Sequence, residues 1–352
     1  MIRIDEIYYN IFVCASQHQS PSIDIQWFDP FGSTSFDDLC NSNGAGEKRI
    51  LFWDQELLQH DLAKNFFNQY ASVYKPTVYK EKHTLVTSEL ESESVQWVCD
   101  TYGFKSAYYF FHGWAALDWY RGYDRTFLCK PFRDRQIEKT FLCPNNIIGG
   151  RRRHRLEVLS ELVDRKLVHN NFVSFPAQCP YEGKKVEDLC REYDIRLSPV
   201  DLPLKIDEGT NYAGNSHYID MWHLADRSLL HVVTETAYYG KKLHLTEKTF
   251  KPIVMQQPFV LVSCQGSLEY LKRYGFKTFD AFWDESYDEA TDNYRILKIG
   301  KLLNDLDDLS AREKYRLQQA MAPIVEHNFN WFYSQEFENL LWTELTDMIK
   351  TW

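Results

Sequence analysis

The span from residue 229 to residue 262 combines an acidic residue, a helix start and a lysine. An apolar run ends just before Glu235, and Thr246-Glu247-Lys248 follows at the start of a predicted helix. Thr246 is a favourable N-cap, which places Glu247 and Lys248 in the first helical turn. A lysine is disfavoured there because that end of the helix dipole is positive, unless an anion binds beside it. Phosphate is the usual such anion, so the pattern predicts a phosphate site.

The same tripeptide also occurs as an ordinary cap followed by a charged surface turn, and for a short motif alone this is the more frequent case. The position of Glu235 favours a functional site, because open α/β sheets bind ligands at the carboxyl ends of their strands. A second apolar run at residues 257–262 supplies the next predicted strand. Two carboxylates and a lysine are then expected in one crevice.

A basic cluster, Arg151–Arg155, follows Gly149-Gly150 and opens a predicted helix that runs to about Lys166. Three interpretations stay open. The cluster forms a solvated basic face, or it binds a diphosphate, or it contacts the phosphates of a DNA backbone. In the second case, fixed positive charges stabilise the negative charge that builds on a departing phosphate.

Candidate general bases lie at predicted strand ends in the first half of the chain. Asp54 and Glu56 follow the apolar run 49–53, and His112 follows the run 108–111. A carboxylate or a histidine at such a place can take the proton of a reacting hydroxyl group. The alternative is that these residues cap neighbouring helices or bond loop backbone.

Aromatic and charged residues come soon after His112. Trp114, Asp118 and Arg121 are candidate contacts for an acceptor molecule. Aromatic rings in this segment suit stacking on a sugar or on a flipped base. Core packing is the alternative for these rings.

Two acidic segments are weighed as further sites. Asp305 and Asp307 have Asp-x-Asp spacing, but no buried strand precedes them, so a solvated turn is expected. Residues 284–288 are expected to hold an arginine such as Arg295 or to rim the ligand site. No metal site is expected. The Walker loop, G-x-G-x-x-G, H-E-x-x-H and G-x-S-x-G motifs are absent, which argues against a P-loop kinase, a dinucleotide dehydrogenase, a zincin and an α/β hydrolase.

Composition bounds the class of protein. The chain has 352 residues, 44% of them hydrophobic, which suits two domains with buried cores. The net charge of −10 argues against a protein whose whole surface binds nucleic acid. The eight cysteines show no C-x-x-C spacing and are expected to be reduced thiols. No apolar stretch suits a membrane span, and the acidic N-terminus does not resemble a signal peptide, so a cytoplasmic protein is expected.

Strand-like and helix-like runs alternate along the chain in two series. This pattern predicts an α/β fold with parallel sheets and crossover helices. Residues 17–46 are rich in Ser, Asp, Gly and Asn and are expected to form a loop. The predicted strands of the first series lie at residues 7–13, 49–53, 83–87 and 108–111.

The second series begins near residue 139, and a strongly helical region closes the chain. We therefore expect two facing Rossmann-like domains, an acceptor domain over residues 1–137 and a donor domain over residues 138–330. The segment 331–352 is expected to form a helix that crosses back to the first domain. The C-terminal helices are predicted at about 293–304, 310–326 and 333–350.

This combination resembles the donor-binding region of fucosyltransferase-like glycosyltransferases of the two-Rossmann (GT-B) architecture. In that family a strand ends in a glutamate, Thr-Glu-Lys opens a helix about ten residues later, and a proline-containing strand follows. The resemblance covers roughly residues 138–280. The asparagine that follows the strand glutamate in the family is Thr236 here, which departs from the pattern. The matching residues are Glu235, Thr246, Glu247, Lys248 and Pro258.

The resemblance implies an inverting, metal-independent transfer of a sugar from a nucleotide-diphosphate donor, UDP or GDP, to a hydroxyl acceptor. It implies that Lys248 contacts the donor phosphates, and that Glu247 and Glu235 hold the ribose or the sugar. Arg155, on the first helix of the second domain, corresponds by position to an arginine of the family, and Arg152 is the next choice. One of the strand-end residues named above would deprotonate the acceptor. No further cofactor is implied.

The chain is also similar to GT-B-like proteins of large tailed phages, through residues 51–56, 112–114 and 284–288. Some phages glycosylate hydroxymethylated bases in their own DNA, which implies modified DNA as an acceptor, in the cytoplasm of the host cell. The acidic net charge favours a glycan or lipopolysaccharide acceptor instead. A non-catalytic nucleotide-binding module on the same scaffold is the alternative from another class. The basic ridge that would contact DNA comprises Lys130, Arg133, Arg135 and Arg151–Arg155.

Overall fold

The computed structural model describes residues 23–28, 48–53, 57–58, 60–75, 82–123, 129–206 and 218–352. Asp54 and Glu56, both predicted bases, lie outside the described residues, as does the predicted strand at residues 7–13.

The chain divides into two compact units. The first unit contains the described residues up to Asp118. It also contains two later segments, Gly240–His244 and Glu338–Trp352. The second unit comprises Trp119–Tyr239 and Leu245–Phe337. A short insertion and the chain's last residues thus join the first unit, although most of the residues around them belong to the second.

The first unit is built on a four-stranded parallel sheet of order β1-β2-β3-β4. A helix connects β2 to β3 and another connects β3 to β4, because a parallel pair needs a long crossover. The loop expected over residues 17–46 contains β1, so that expectation is wrong for residues 23–28. The surrounding sequence is rich in residue types that favour turns, which hides a short strand from the sequence pattern. The strands are β1 Ile23–Phe28, β2 Lys48–Trp53, β3 His83–Thr87 and β4 Lys105–Tyr108.

The helices of the first unit pack aromatic side chains against this sheet. The ring of Trp53 on β2 stacks on Phe67 with centroids 5.8 Å apart. The second crossover helix has a side-chain cap from Ser92, and Gly103 ends it in the left-handed conformation with φ 81°. The helices are α1 His60–Tyr74, α2 Glu93–Tyr102 and α3 Phe111–Ala116, which continues into a π-helix, Leu117–Tyr123.

The second unit carries a second four-stranded parallel sheet, of order β6-β5-β7-β8. All seven residues of the internal strand β7 are buried, as expected for a parallel strand covered on both faces. The strands are β5 Lys139–Pro144, β6 Phe172–Ser174, β7 Ser228–Thr234 and β8 Phe259–Val262.

The strand order of the second sheet creates a topological switch point. The chain passes from β5 to its neighbour β6 and then returns to place β7 on the other side of β5. The loops that leave β5 and β7 therefore turn away from each other at the carboxyl edge of the sheet. Open α/β sheets bind their ligands in the crevice that results.

Helices surround the second sheet and close the chain. Ser310 and Glu313 form a reciprocal capping box at the start of the longest helix. No described helix is both long and apolar enough to cross a bilayer. The helices are α4 His154–Asp164, α5 Val186–Glu192, α6 Trp222–Ala225, α7 Glu247–Val254, α8 Ser267–Arg273, α9 Asp292–Asp307, α10 Ala311–Phe332 and α11 Gln335–Lys350.

The two parallel sheets confirm the predicted fold class, α/β with two Rossmann-like domains and C-terminal helices. Within the first unit, the end of the chain packs close to α3. The Glu344 side chain accepts a hydrogen bond from the Phe110 amide at 3.3 Å, and Trp342 packs edge-on against Trp114.

Candidate functional site

A buried carboxylate lies directly after β7. Glu235 is fully buried, and each carboxylate oxygen accepts two hydrogen bonds. Oε1 accepts from the Thr246 amide at 3.1 Å and from the Thr249 hydroxyl at 2.6 Å. Oε2 accepts from the Thr246 hydroxyl at 2.6 Å and from the Thr236 amide at 3.2 Å. These bonds compensate a buried charge and tie the strand end to α7, while the contact of Glu235 with a ribose or a sugar stays a prediction.

Thr246 is the N-cap of α7, as predicted. Its backbone is extended, and its hydroxyl oxygen accepts a hydrogen bond from the Lys248 amide at 3.4 Å. The same hydroxyl donates its proton to Glu235. One side chain thus satisfies both the start of the helix and the end of the strand, which fixes the position of the first helical turn.

The ammonium group of Lys248 folds back over the start of α7. Its Nζ donates to Glu247 Oε1 at 2.8 Å, to Thr246 Oγ1 at 3.2 Å and to Thr236 Oγ1 at 3.4 Å. The Lys248 side chain is 33% exposed, whereas the Glu247 side chain is only 6% exposed. A cation that solvent can reach therefore lies at the positive end of a helix and at the carboxyl edge of a parallel sheet.

Arg155 joins the two loops at the switch point. Its Nη1 donates to the Ile147 carbonyl at 2.7 Å, and its Nη2 donates to the Thr234 carbonyl at 2.8 Å. Burial and, to a smaller extent, the nearby Arg152 charge lower the pKa of Arg155 to about 10, while Glu235 opposes the change. The guanidinium thus stays charged at neutral pH and is bonded to backbone. Its predicted contact with a diphosphate stays a prediction.

Arg152 is the more accessible of the two predicted arginines. It ends the 3₁₀ turn Gly150–Arg152 and is half-buried. Within the described part of the chain, its guanidinium makes no hydrogen bond and no ion pair. Its charge lowers the pKa of both His154 and Arg155, so it lies near the buried end of α4.

Side chains from residues 179–193 pack against the glycine pair that precedes Arg152. A Cβ atom on Gly149 would lie 1.9 Å from Glu182 Oε1 and 3.2 Å from Cys179 Sγ, so a larger residue there would require the Glu182 side chain or the loop to move. Burial raises the pKa of the Cys179 thiol, but hydrogen bonds from the backbone of Glu182, Ile148, Tyr181 and Gly149 together bring it below its usual value. Gly150 has φ +58°, and its amide donates to the Tyr193 hydroxyl at 3.0 Å. These contacts set the path of the loop between β5 and α4.

Two residues that the sequence interpretation left out complete this edge. The Thr234 hydroxyl donates to Asn145 Oδ1 at 2.8 Å, which links the ends of β7 and β5. Thr249 bonds Glu235 from the first turn of α7. The available signal for Asn145 was its position, because it follows β5 directly, just as Glu235 follows β7.

In the first unit, the predicted acceptor residues are mostly buried. His112 is 8% exposed, in the first turn of α3, and its ring lies edge-on to that of His244 with centroids 5.1 Å apart. Trp114 and Asp118 are each 1% exposed. Arg121 belongs to the second unit, where its Nη2 lies 3.5 Å from the Tyr333 carbonyl. The roles of these residues in binding an acceptor stay predictions.

Two members of the basic ridge are engaged with acidic partners. Arg135 is 4% exposed, forms an ion pair with Asp226 at 3.1 Å and donates to the Met255 carbonyl at 2.5 Å. Arg133 forms an ion pair with Glu326. The ridge is therefore less basic than the sequence indicates.

The solvated turn expected at residues 305–307 is wrong for Asp307. Both aspartates lie in the last turn of α9, and the Asp307 side chain is only 16% exposed. It accepts hydrogen bonds from Thr140 and from Asn171 Nδ2, the latter at 3.2 Å. Tertiary partners at the start of β5 thus bury one carboxylate of the pair. In the part of the chain that the structure describes, no cluster of His, Cys, Asp and Glu suits a metal ion.

One residue of the acidic segment 284–288, Asp288, accepts a hydrogen bond from the start of α8, the helix that follows β8. Asp288 accepts a hydrogen bond from the Leu268 amide at 3.1 Å, at the start of α8, and burial raises its pKa to about 6. Arg295 forms its ion pair with Asp292 at 3.4 Å and donates to the Ser263 carbonyl at 2.8 Å. The direct ion pair of Arg295 is thus with a neighbour in α9, while its charge also acts on Asp288 of the segment and lowers the pKa of that carboxyl against the larger effect of burial.

Comparisons with known proteins give two similar solved structures. One is described as the DNA modifying enzyme β-glucosyltransferase in the presence and absence of the substrate uridine diphosphoglucose. It aligns over 98% of this chain and 96% of its own, with a TM-score of 0.44 and 10% sequence identity. The other, TarM, aligns over 96% of this chain and 58% of its own, with a TM-score of 0.41 and 11% identity. No family model and no curated protein matches the chain.

Such TM-scores and identities carry no argument about a ligand or a reaction. The similarity to fucosyltransferase-like enzymes and to tailed-phage proteins also stays a prediction.

Proposed function

We propose that this protein is a glycosyltransferase that takes a sugar from a nucleoside-diphosphate donor, UDP or GDP linked, and moves it to a hydroxyl acceptor. The observation that carries the proposal is the position of Lys248. Its side chain is 33% exposed in the first turn of α7, at the switch point of a parallel sheet. Each of these features favours an anionic ligand with phosphate groups.

The proposed chemistry needs positive charge where the diphosphate departs. Breakage of the bond between the sugar and the phosphate leaves negative charge on the nucleoside diphosphate, and fixed cations stabilise it. We assign this role to Lys248 and Arg152, because the side chain of Lys248 is 33% exposed and Arg152 is only half-buried. Glu247, which bonds Lys248, is the carboxylate that we place nearest to a ribose or sugar hydroxyl.

Glu235 and Arg155 support the site in this proposal. The carboxylate of Glu235 is filled by four donors, and the guanidinium of Arg155 is bonded to carbonyls that follow β5 and end β7. In this proposal the two residues fix the positions of the loops that leave β5 and β7. Direct contact of Arg155 with a phosphate, which the family resemblance implies, would require it to leave one of these carbonyls.

We propose an inverting transfer without a metal ion or a further cofactor. A base that removes the acceptor proton while the sugar bond breaks is sufficient for inversion. Asp54, Glu56 and His112 are the candidates that the sequence provides. Proton NMR of the first product formed distinguishes an inverted anomeric configuration from a retained one.

The acceptor is proposed from charge. Hydroxymethylated bases of phage DNA remain one candidate, but Arg135 and Arg133 are paired with acids, so fewer ridge cations are available for a DNA backbone. This observation favours a glycan or lipopolysaccharide acceptor. Gel shifts on hydroxymethylcytosine DNA over a range of salt concentrations separate the two, because phosphate contacts give a steep salt dependence and a glycan enzyme gives none.

Nucleotide binding is the direct test of the proposal. Calorimetry with UDP and GDP should show binding of one of them, and saturating ligand should raise Tm by mass action. Incubation with the matching sugar nucleotides should then release the nucleoside diphosphate. Binding without turnover under any acceptor condition would indicate the non-catalytic module, and absence of binding to either nucleotide would overturn the proposal.

A further inference from the structure

The short insertion Gly240–His244 packs within the first unit. Leu243 and Leu90 exchange backbone hydrogen bonds of 2.7 and 3.0 Å, and the Glu93 amide donates to the Lys241 carbonyl at 3.2 Å. Lys242 adds an ion pair with the buried Glu89 at 3.3 Å. Contacts on three consecutive residues hold the insertion firmly, which also fixes the residue that follows them.

That residue is His244, which is 2% exposed. Its Nδ1 lies 3.1 Å from the carbonyl oxygen of Ser88. A carbonyl oxygen can only accept, so Nδ1 carries the proton and, in the neutral ring, Nε2 carries the lone pair. Among the described residues, no protein group bonds Nε2. The ring is thus oriented as a proton acceptor.

The location of His244 suits a ligand. Ser88 follows β3, and His112, whose ring lies at 89° to that of His244, follows the adjacent strand β4. Both strands end at the same edge of a parallel sheet, because they run in the same direction. This edge is where open α/β sheets bind small molecules.

We propose that His244 is the base that accepts the proton of the acceptor hydroxyl, with the ring of His112 packed against it. This role rests on the glycosyl transfer proposed above. The acceptor O–H bond breaks and its proton moves to Nε2, while the oxygen forms a bond to the anomeric carbon. The bond from that carbon to the phosphate oxygen breaks, and its electron pair leaves with the nucleoside diphosphate. The Ser88 carbonyl stabilises the imidazolium, which later returns the proton to water.

Two amide substitutions at residue 244 separate catalysis from structure. His244→Asn places an amide N–H near the position of Nδ1 and keeps the donor to Ser88, whereas His244→Gln places its amide near Nε2 and loses that donor. Neither accepts a proton. Both variants should lose about 100-fold or more in kcat for sugar transfer, or for hydrolysis of UDP-sugar by water, with donor KM unchanged. A purely structural role predicts that the Asn variant keeps its activity.

Controls make the outcomes distinct. His169→Asn, an exposed histidine in the second unit, should behave as the wild type. His244→Ala should regain part of its kcat in added imidazole, which a structural defect would not do. Transfer by His244→Asn at the wild-type rate overturns this role and leaves the proposed function standing. A wild-type protein that binds no nucleotide and turns over no sugar nucleotide overturns the proposed function itself.

Discussion

The hydroxyl of Thr246 donates to Glu235 Oε2 at 2.6 Å, which joins the cap of α7 to the end of β7. The first turn of α7 is therefore positioned by a buried carboxylate at the edge of the sheet. Because Glu235 has all four of its hydrogen bonds within the protein, its main effect is on the position of Lys248. This relationship separates residues that build the site from residues that face a ligand.

Glu235→Gln should destabilise the protein. In the wild type, four donors meet the carboxylate oxygens of Glu235. In the variant, the NH₂ group of the amide takes the place of one oxygen, so at least one buried donor loses its acceptor. We expect a loss of about 1–3 kcal/mol in the free energy of unfolding, measured in urea. The matched control is Glu336→Gln, at an exposed position of α11, which should change stability by less than about 0.5 kcal/mol. Equal stability of the two variants would contradict the supporting role of Glu235.

Lys248→Gln should weaken nucleotide binding without unfolding the protein. The positive helix dipole opposes a lysine in the first turn, but Lys248 also pairs with the buried Glu247 carboxylate. We expect a loss of about 1–2 kcal/mol in unfolding free energy, because glutamine lacks the charge that pairs with Glu247. We also expect an increase of at least tenfold in the Kd for the nucleotide and a loss of about 100-fold or more in kcat. Lys301→Gln, an exposed lysine on α9, is the control. If calorimetry finds the same Kd for both variants, the proposed role of Lys248 in nucleotide binding is wrong.

Arg155→Met should mainly lower the stability of the protein, whereas Arg152→Met should mainly lower its affinity for the nucleotide. Arg155→Met leaves the Ile147 and Thr234 carbonyls without their donor inside the protein, so we expect a loss of about 3 kcal/mol or more in unfolding free energy. Arg152→Met should leave stability within about 0.5 kcal/mol and raise the Kd for the nucleotide. Urea denaturation and calorimetry on both variants check the pair. If the Arg155→Met protein is as stable as the wild type but binds nucleotide more weakly, the result would indicate that Arg155 contacts a phosphate directly.

The sequence predicts well those features that depend on local spacing. The Thr246 cap and the helix that follows it are found where the side-chain chemistry places them. The sequence also places Glu235 at the end of a buried strand, because the interior of β7 is apolar except for His231. These predictions need only the residue types and the geometry of a helix or a strand.

Features that depend on distant backbone could not be predicted in the same way. Arg155 bonds carbonyl groups of Ile147 and Thr234, and carbonyl groups leave no mark in the residue types. Asp307 looks like a surface aspartate until Asn171 and Thr140 are brought beside it. His244 is likewise two residues from the Thr246 cap in sequence, yet it packs in the other unit. Only the tertiary fold makes these neighbours.

Asp288→Asn should stabilise the protein at neutral pH. Burial raises the pKa of Asp288 from 3.8 to about 6, so the folded state disfavours its charge. Its contribution to stability is full below pH 4, where the carboxyl is protonated in both states, and falls as the pH rises through 6. The cost at pH 7.5 is about 3 kcal/mol at most. The amide oxygen of Asn keeps the bond to the Leu268 amide. Urea titrations at pH 4.5 and 7.5 should show a gain for the variant that is larger at pH 7.5, and an equal gain at both would contradict this account.

Gly149→Ala should disturb the loop between β5 and α4, and a second substitution should relieve it. The added Cβ would meet the Glu182 carboxylate at 1.9 Å, so that side chain or the loop must move. We expect a loss of about 1–3 kcal/mol in unfolding free energy for the single variant. Glu182→Ala removes the obstructing atoms, so the double variant should be more stable than the sum of the two single changes predicts. A double-mutant cycle in urea measures this coupling. Additive effects would show that the loop moves and the Glu182 side chain does not. Nucleotide affinity should then fall together with stability, because Arg152 lies on the turn that follows Gly149.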